Sequence, residues 1–245
     1  MKNKILKKIL GILNYKLIDK NYFKNNRIIS DFSMLNEENL IQNLSKYKIK
    51  QLIQIGANDG IRFDYLNKFI KKNRIKAILV EPIKNNFDAL RKNYKKFKFV
   101  KLENSAISIN NEINYLYKVN EKFLNYYGNH VPGITSFNKN HLLKHGVKKK
   151  HIIKEKVNSI SIKNLIQKYG LKKLDLIYID TEGYDGKIVL DFLKIKSLHP
   201  IIIFEFIHIE NKIFKIVIKK LLLSNYKFFP IRENLICLPK KNFFS

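Results

Sequence analysis

Residues 52–60 have the sequence LIQIGANDG, a short apolar run that ends in a turn bracketed by Gly56 and Gly60. A helical pattern of apolar residues follows from Ile61 to Ile70. Strand, tight turn and helix in this order are typical of the unit that opens a nucleotide-binding half of an open α/β sheet. Glycine adopts turn torsions that other residues resist, and it lets backbone N–H groups approach a ligand closely. The alternative is an ordinary strand–helix turn, because the spacing lacks the GxGxxG dinucleotide pattern.

Glu81 favours a nucleotide-binding turn over an ordinary strand–helix turn. It ends a second apolar run, residues 77–80, and lies 21 residues beyond Gly60. An acid at the end of the second strand, about 20 residues after the glycine turn, binds the two ribose hydroxyls of adenosine in such folds. A carboxylate at this place also repels a 2′-phosphate. The two features together predict a ligand that contains adenosine.

The composition is that of a globular protein with an unusual charge. The chain has 245 residues, of which 45% are hydrophobic, and 48 Lys and Arg against 20 Asp and Glu give a formal net charge of +28. Such a charge favours nucleic acid, anionic lipid or acidic glycan as a neighbour. Because lysine is spread along almost every segment, a compositional bias without selection for a ligand is the alternative. Cys237 is the only cysteine, which excludes an intrachain disulfide and predicts a reducing, cytoplasmic compartment.

The first 50 residues are predicted to form a basic helical extension. Residues 1–20 have the spacing of an amphipathic helix with a lysine-rich polar face, and residues 36–47 predict a second helix. The first segment lacks the features of a signal peptide, and no apolar stretch reaches the length of a transmembrane helix. We expect the extension to pack on the domain; peripheral contact with the inner membrane surface through residues 1–20 is the alternative.

Residues 51–245 predict one α/β domain. The loop at residues 120–150 is long for a compact domain, and we expect it to be the wall or lid of a substrate pocket. The other predicted elements are a helix at 85–94, a strand at 97–102, a β-hairpin at 107–119, a strand at 157–162, a helix at 161–169, strands at 174–179 and 200–205, a helix at 211–223 and a final hairpin at 226–238.

Three of the predicted strands end in a carboxylate, namely Glu81, Asp180 and Glu205, and Glu182 and Asp185 lie close to the second of them. In an open parallel sheet, ligands bind outside the carboxyl ends of the strands, so we expect these acids to converge on one crevice. Ionised carboxylates are seldom buried unless they are paired or used, which favours a working site. A divalent cation bound by Asp180, Glu182 and Asp185 is an alternative use of the cluster.

Five ordered motifs resemble those of the FkbM-type methyltransferases: IGANDG at 55–60, EP at 81–82, NSAIS at 104–108, IDTEGYD at 179–185 and FE at 204–205. The resemblance covers residues 50–209. It implies the class I, S-adenosylmethionine-dependent fold, which is a Rossmann-like open sheet with helices on both faces. We therefore expect a mostly parallel α/β sheet with a C-terminal antiparallel hairpin.

The resemblance also implies which residues bind the cofactor. Glu81 corresponds to the acid on the ribose, and Gln54 stands where many class I enzymes have an acid that orients the amino acid end of the cofactor. A neutral amide can still form a hydrogen bond there. The turn around the methionine part corresponds to Gly56, Asn58 and Gly60, and Asp59 of the same turn is a further candidate. The loop near adenine corresponds to Asn104, Ser105 and Ala106, although these residues alone are equally compatible with an ordinary turn.

For catalysis, the resemblance places Asp180 and Glu182 beside the transferable methyl group, where Asp180 is also a candidate contact to the cofactor. A base near a hydroxyl acceptor accelerates its methylation, and Asp180 is our first candidate for that base, followed by Glu182. His130 and His208 are rivals because imidazole titrates near neutrality. Gly133 and Ser136 resemble a short Gly-x-x-Ser element of the family. The family requires no metal, so we predict none.

We therefore expect a methyltransferase that uses S-adenosylmethionine to methylate an oxygen of a sugar, a glycan or another small hydroxylated acceptor. One alternative is an RNA methyltransferase that uses the basic surface. Another is a non-catalytic basic protein that binds glycan or membrane and retains only a relic pocket. Nothing in the residues predicts the oligomeric state.

Overall fold

The structure, a computed structural model, describes residues 40–41, 44, 48–62, 64–109, 114–128 and 131–240. The helix predicted at residues 1–20 lies outside this range. Of the helix predicted at 36–47, the described residues Leu40, Ile41 and Leu44 are helical, and the last two are buried against the core. Within the described residues, no helix is long and apolar enough to cross a membrane.

A seven-stranded sheet forms the centre of the molecule, in the order β10-β11-β9-β8-β1-β2-β3. The five strands from β9 to β3 are mutually parallel, whereas β11 is antiparallel to β9 and to β10. The strands are β1 (Gln51–Ile55), β2 (Lys76–Val80), β3 (Val100–Glu103), β8 (Leu176–Ile179), β9 (Ile201–Glu205), β10 (Tyr226–Ile231) and β11 (Asn234–Pro239). The predicted class I sheet with its C-terminal antiparallel hairpin is therefore confirmed.

Helices cover both faces of the sheet because the side chains of each strand alternate between two cores. Leu52 of β1 points to one core, which α1 and α2 complete, while Ile53 points to the other, which α4, α5 and α6 complete. The helices are α1 (Leu66–Asn73), α2 (Lys84–Tyr94), α3 (Lys139–Lys144), α4 (Ile162–Lys168), α5 (Asp185–Phe192) and α6 (Asn211–Leu223).

The segment between β3 and α4 differs from the prediction. It contains β4 (Ala106–Ile107), β5 (Asn114–Val119), β6 (Ile152–Val157) and β7 (Ser159–Ile160). The predicted hairpin at 107–119 is wrong, because β4 pairs with β7 in parallel and β5 pairs with β6 in antiparallel. Between β5 and β6 lie α3 and three short 3-10 helices, Glu121–Tyr126, Val131–Gly133 and Lys149–His151. They pack around a small apolar cluster of their own that includes Val119, Ile134 and Leu142.

Candidate active site

A cavity of about 300 Å³ opens at the carboxyl ends of β1, β2, β8 and β9. The strand order reverses between β1 and β8, since β2 and β3 continue on one side and β9 on the other. This switch point is where open α/β sheets bind their ligands. The predicted convergence of acids is present, because Glu81, Asp180, Glu182 and Glu205 all line this cavity.

The turn after β1 approaches the end of β8 so closely that only glycine fits at position 56. Gly56 has φ +86°, and a Cβ atom there would lie 1.8 Å from the backbone oxygen of Asp180. Asn58 also has a positive φ, 48°, and its backbone N–H donates to Oε2 of Glu81 at 2.9 Å. The turn is thus fixed between two strand ends, and Gly56 and Asn58 both line the cavity.

Glu81 is 4% exposed and has a structural task that the sequence did not reveal. Its two carboxylate oxygens accept hydrogen bonds from the backbone N–H groups of Asn58 and Ile83, both at 2.9 Å. Burial raises the pKa of Glu81 to about 7. Each oxygen has a second lone pair, so the carboxylate can still accept a hydroxyl of a ligand in the cavity.

Three predicted cofactor-binding residues support the cavity rather than line it. Asp59 accepts hydrogen bonds from the backbone N–H groups of Ile61 and Arg62. At Gly60, a Cβ atom would lie 2.5 Å from the Leu90 side chain, so this glycine lets α2 pack against the turn. The Asn104 side chain donates to the backbone oxygens of the two residues at 81–82, at 2.8 and 3.1 Å.

The loop predicted to approach adenine does reach the cavity at its next two positions. Ser105 and Ala106 both line it, and Ile107 and Leu116 lie beside them. The Ser105 hydroxyl donates to Glu103 at 2.9 Å. This side of the cavity is therefore mostly apolar, which suits a planar base.

Gln54 lies on the cavity wall next to an acid that sequence reasoning missed. Its side-chain N–H donates to Oδ1 of Asp64 at 3.2 Å, and the same oxygen accepts the backbone N–H of Leu66 at the start of α1. Within the described residues, Oε1 of Gln54 and Oδ2 of Asp64 are buried and have no hydrogen-bond partner. Burial raises the pKa of Asp64. An acid just before a helix start was the available signal, since such residues commonly cap helices.

The second group of acids lies at the ends of β8 and β9. Burial and the nearby carboxylates of Glu182 and Asp185 raise the pKa of Asp180 well above its usual range. Burial and the charge of Asp180 raise the pKa of Glu205 to about 11. These groups cannot all be ionised at neutral pH without a cation in the cavity, because like charges in a desolvated site disfavour each other.

Asp185 differs from its neighbours because it is fully buried within the turn itself. Its two oxygens accept the backbone N–H groups of Thr181 and Gly183, both at 3.1 Å. This arrangement holds Glu182 at a φ of 54° with its side chain at the cavity. Asp185 therefore shapes the turn, and it does not belong to a set of metal ligands with Asp180 and Glu182.

Histidines form the side of the cavity next to Glu182. His208 lines the cavity as predicted for a candidate catalytic residue, with its Nε2 3.9 Å from Glu182 and 3.7 Å from Glu205. His130 lies outside the described residues. Sequence reasoning missed His141 and His145; Nε2 of His141 lies 2.8 Å from Oε2 of Glu182, and His145 lines the cavity. Their spacing of four residues was an available signal.

The loop at residues 120–150, which we expected to be the wall or lid of a pocket, contributes residues to the wall of the cavity. Gly133, Ile134, Thr135 and Phe137 line the cavity. The hydroxyl of Ser136 donates to the backbone oxygen of Glu182 at 3.0 Å, and Ser136 forms an isolated β-bridge with Tyr117. Ser136 thus joins the wall to the turn that carries the catalytic candidates.

The cavity is acidic although the chain is strongly basic. Six carboxylate side chains line it, and Arg62 is the only lysine or arginine that does so among the described residues. Such a surface attracts cations and repels phosphate groups. A ligand rich in phosphate groups is therefore disfavoured in this cavity, whereas a cationic ligand is favoured.

The chain was compared with known protein families and structures. A family model described as the methyltransferase FkbM domain matches residues 54–233. No curated protein matches the chain. Similar solved structures include the METTL16 MTase domain (11% identity, TM-score 0.46, 83% of this chain and 66% of that chain) and the ribosomal protein L11 methylase from Lactobacillus delbrueckii subsp. bulgaricus (11%, 0.41, 82% and 74%).

A third similar structure is the methyltransferase FkbM from Methylobacillus flagellatus KT, with 12% identity and a TM-score of 0.45. The match covers 77% of this chain and 43% of that one. Because the family model covers more than half of the sequence, the chain belongs to the FkbM family of methyltransferases.

Proposed function

We propose that this protein transfers the methyl group of S-adenosylmethionine to a hydroxyl oxygen of a sugar, a glycan or another small hydroxylated acceptor. The observation that carries the proposal is the acid-lined cavity at the strand switch point, with the buried Glu81 at the end of β2 and a second group of acids at the ends of β8 and β9. S-adenosylmethionine has a permanent sulfonium charge, an ammonium group and an uncharged nucleoside, so it matches this distribution of charge.

Three parts of the cavity correspond to three parts of the cofactor. The Glu81 carboxylate accepts the ribose hydroxyls, and the apolar side around Ala106 and Ile107 holds adenine. Asp64 and Gln54 accept the ammonium group of the methionine part, because each has a buried oxygen with no hydrogen-bond partner among the described residues. Many class I enzymes have an acid at the position of Gln54 on β1. In this protein, Asp64 would supply that acid instead.

Asp180 and Glu182 would face the transferable methyl group, as the family resemblance implies, and Glu205 lines the cavity beside them. Methyl transfer is an in-line displacement: the acceptor oxygen bonds to the methyl carbon, the carbon–sulfur bond breaks and its electron pair stays on sulfur. The acceptor hydroxyl loses a proton, which Asp180 receives. A sulfonium charge beside Asp180 would favour the ionised form of this carboxyl, which is the form that accepts a proton. Alignment of the reactants supplies much of the rate enhancement.

Labelled methyl transfer tests this proposal. The full chain is incubated with S-adenosylmethionine labelled in the methyl group and with separate pools of sugars and polysaccharides, RNA and protein, and mass spectrometry locates the label. We expect an O-methyl product in the carbohydrate pool. Label in RNA would instead support the alternative that uses the basic surface, and label in none of the pools would contradict the proposed acceptor class.

An Asp180→Asn variant tests the base. The amide cannot accept the proton, so we expect the rate of methyl transfer to fall by roughly 100-fold to 10,000-fold. Asp191→Asn is a matched control, because Asp191 lies in α5, pairs with Lys194 and does not line the cavity. A full rate in Asp180→Asn would refute the role of Asp180.

A further inference from the structure

Three imidazoles and one carboxylate converge beside the cavity. They are His141 in α3, His145 at the C-terminal end of α3, Glu182 in the turn after β8 and His208 after β9. Each offers one ligand atom, and these four atoms all lie within 4.8 Å of one another. His141 and His145 are four residues apart, so one turn of α3 presents both on the same side.

We propose that His141, His145, Glu182 and His208 bind one divalent transition-metal ion of the zinc class. The ligand atoms decide which class of ion binds. Imidazole nitrogen suits zinc and similar transition-metal ions, whereas magnesium and calcium prefer oxygen ligands. Two histidines four residues apart on one helix are a recurrent zinc-binding arrangement. Three nitrogens and one carboxylate oxygen complete a tetrahedral shell.

The distances fit this proposal with small side-chain movements. In a tetrahedral zinc site with bonds of about 2.0–2.2 Å, the ligand atoms lie roughly 3.3 Å apart. Nε2 of His141 and Oε2 of Glu182 are closer than this, at 2.8 Å, and Nε2 of His208 is 3.9 Å from the same oxygen. Side-chain rotations that move these atoms by about an ångström would therefore bring all of them to bonding distance from one central ion. The neighbouring imidazole rings already lie with centroids 4.5 and 4.6 Å apart.

The charges around the cluster also favour a cation. Nε2 of His208 lies 3.7 Å from Oε1 of Glu205, so a second carboxylate borders the four ligands. Imidazole nitrogens donate a lone pair to a metal ion, and the two neighbouring carboxylates lower the electrostatic energy of a cation placed among them.

The ion would join three separate parts of the chain. His141 and His145 belong to the cavity wall, Glu182 to the turn after β8 and His208 to the segment after β9. A site with four protein ligands is closed and structural, so the ion would fasten the wall to the carboxyl edge of the sheet. Ion binding does not depend on the proposed methyl transfer, although His145, Glu182 and His208 line the same cavity.

Metal analysis of the full chain, without an affinity tag and after treatment with a chelator, tests the proposal. We expect one equivalent of Zn²⁺ per chain on reconstitution. Co²⁺ in its place should give the intense visible absorption of a tetrahedral nitrogen and oxygen site. Bound Zn²⁺ should also raise the midpoint of thermal unfolding, and a chelator should reverse this shift.

Variants show whether the four residues are the ligands. His141→Ala and His208→Gln should each weaken Zn²⁺ binding by more than the roughly 10- to 100-fold that residues outside the ligand shell typically cost. His199→Ala is the matched control, because His199 is exposed and precedes the N-terminal end of β9, at the opposite edge of the sheet from the cluster. This variant should bind Zn²⁺ like the original chain. Circular dichroism confirms that each variant is folded.

Failure of the chelated and refilled original chain to bind stoichiometric Zn²⁺ would overturn the proposal, and the cluster would then be a hydrogen-bonded network. Equal binding by the His141→Ala variant would overturn it as well. Metal binding is measured without S-adenosylmethionine, and binding of S-adenosylmethionine is measured separately by calorimetry. A failed metal site is therefore distinguishable from a failed methyltransferase assignment.

Discussion

The Glu81 carboxylate both holds the glycine turn and faces the proposed ribose. Burial raises its pKa from 4.5 to about 7. The folded protein therefore holds this proton more tightly than the unfolded chain does. The stability that this shift contributes is fully present below pH 4.5 and is lost as the pH rises through about 7. Ribose hydroxyls donate to the ionised form, so binding of the cofactor favours the carboxylate.

This titration predicts a pH dependence of cofactor binding. With a pKa of about 7, only about a tenth of the molecules have an ionised Glu81 at pH 6, so S-adenosylmethionine should bind roughly tenfold more weakly at pH 6 than at pH 8. Calorimetric titrations across this range measure the effect. In Glu81→Gln, which cannot titrate, the profile should be flatter; an equally steep profile in that variant would contradict the role of Glu81.

Asp64 gives a second prediction for a single residue. Its buried Oδ2 has no partner among the described residues, and in our proposal it accepts the ammonium group of the cofactor. Hydrogen bonds to charged groups contribute about 1.5–3 kcal/mol, so Asp64→Asn should weaken cofactor binding by roughly 10- to 100-fold. Asp88→Asn is the control, because Asp88 pairs with Lys84 on the surface of α2. Unchanged affinity in Asp64→Asn would disprove this contact.

At the scale of elements, the turn between β1 and α1 depends on contact with the end of β8. Gly56 and Gly146 have similar positive φ values, +86° and +81°. A Cβ atom would lie 1.8 Å from the Asp180 backbone oxygen at position 56 but would contact nothing within 4 Å at position 146. A substitution at Gly146 therefore tests backbone strain alone, whereas a substitution at Gly56 tests backbone strain together with steric overlap.

We expect Gly146→Ala to cost only the strain of a positive φ, about 1 kcal/mol of unfolding free energy. Gly56→Ala should cost at least about 1–3 kcal/mol more, because the added methyl group must displace the backbone of β8. Urea denaturation of both variants measures the difference. Equal losses in the two variants would show that the turn does not approach β8 as closely as described.

The elements also show what the sequence could predict. The helix at 211–223 and the final hairpin agree with the structure, because their apolar periodicity and turn residues act locally. The hairpin at 107–119 was wrong because β5 pairs with β6, about 40 residues away, and local alternation does not identify a distant partner. The helical pattern from Ile61 begins as α1 only at Leu66, because Asp59 binds the N–H groups of Ile61 and Arg62.

The candidate site likewise combines residues that were predictable from the local sequence with residues that only the tertiary fold brings together. The strand-end acids Glu81, Asp180 and Glu205 were predictable, since parallel strands bring their carboxyl ends to one edge. Asp64, just before α1, and the pair His141 and His145, in the cavity wall, were missed. Their convergence on the site depends on packing between distant segments. The charge of the cavity, opposite to that of the chain, likewise follows from the fold.

At the scale of the whole molecule, a formal charge of +28 surrounds a cavity lined by six acids. The basic residues are spread over the chain, whereas six of its 20 acids lie together where the strand order reverses. Net charge therefore indicates little about the ligand of this protein, and the local field of the cavity indicates more. We propose that this field, with Glu81 and Asp64 as its fixed acceptors, selects the cationic cofactor.

Calorimetric titration of the full chain with S-adenosylmethionine at pH 8, in parallel with the isosteric double variant Asp64→Asn and Glu81→Gln, measures whether the acidic cavity selects this cofactor. We expect saturable binding of one molecule per chain, and a loss of affinity of at least about 100-fold in the double variant, since each acceptor contributes independently. Absence of binding by the folded original chain, or equal affinity in the folded double variant, would show that the cavity does not select the cofactor in this way.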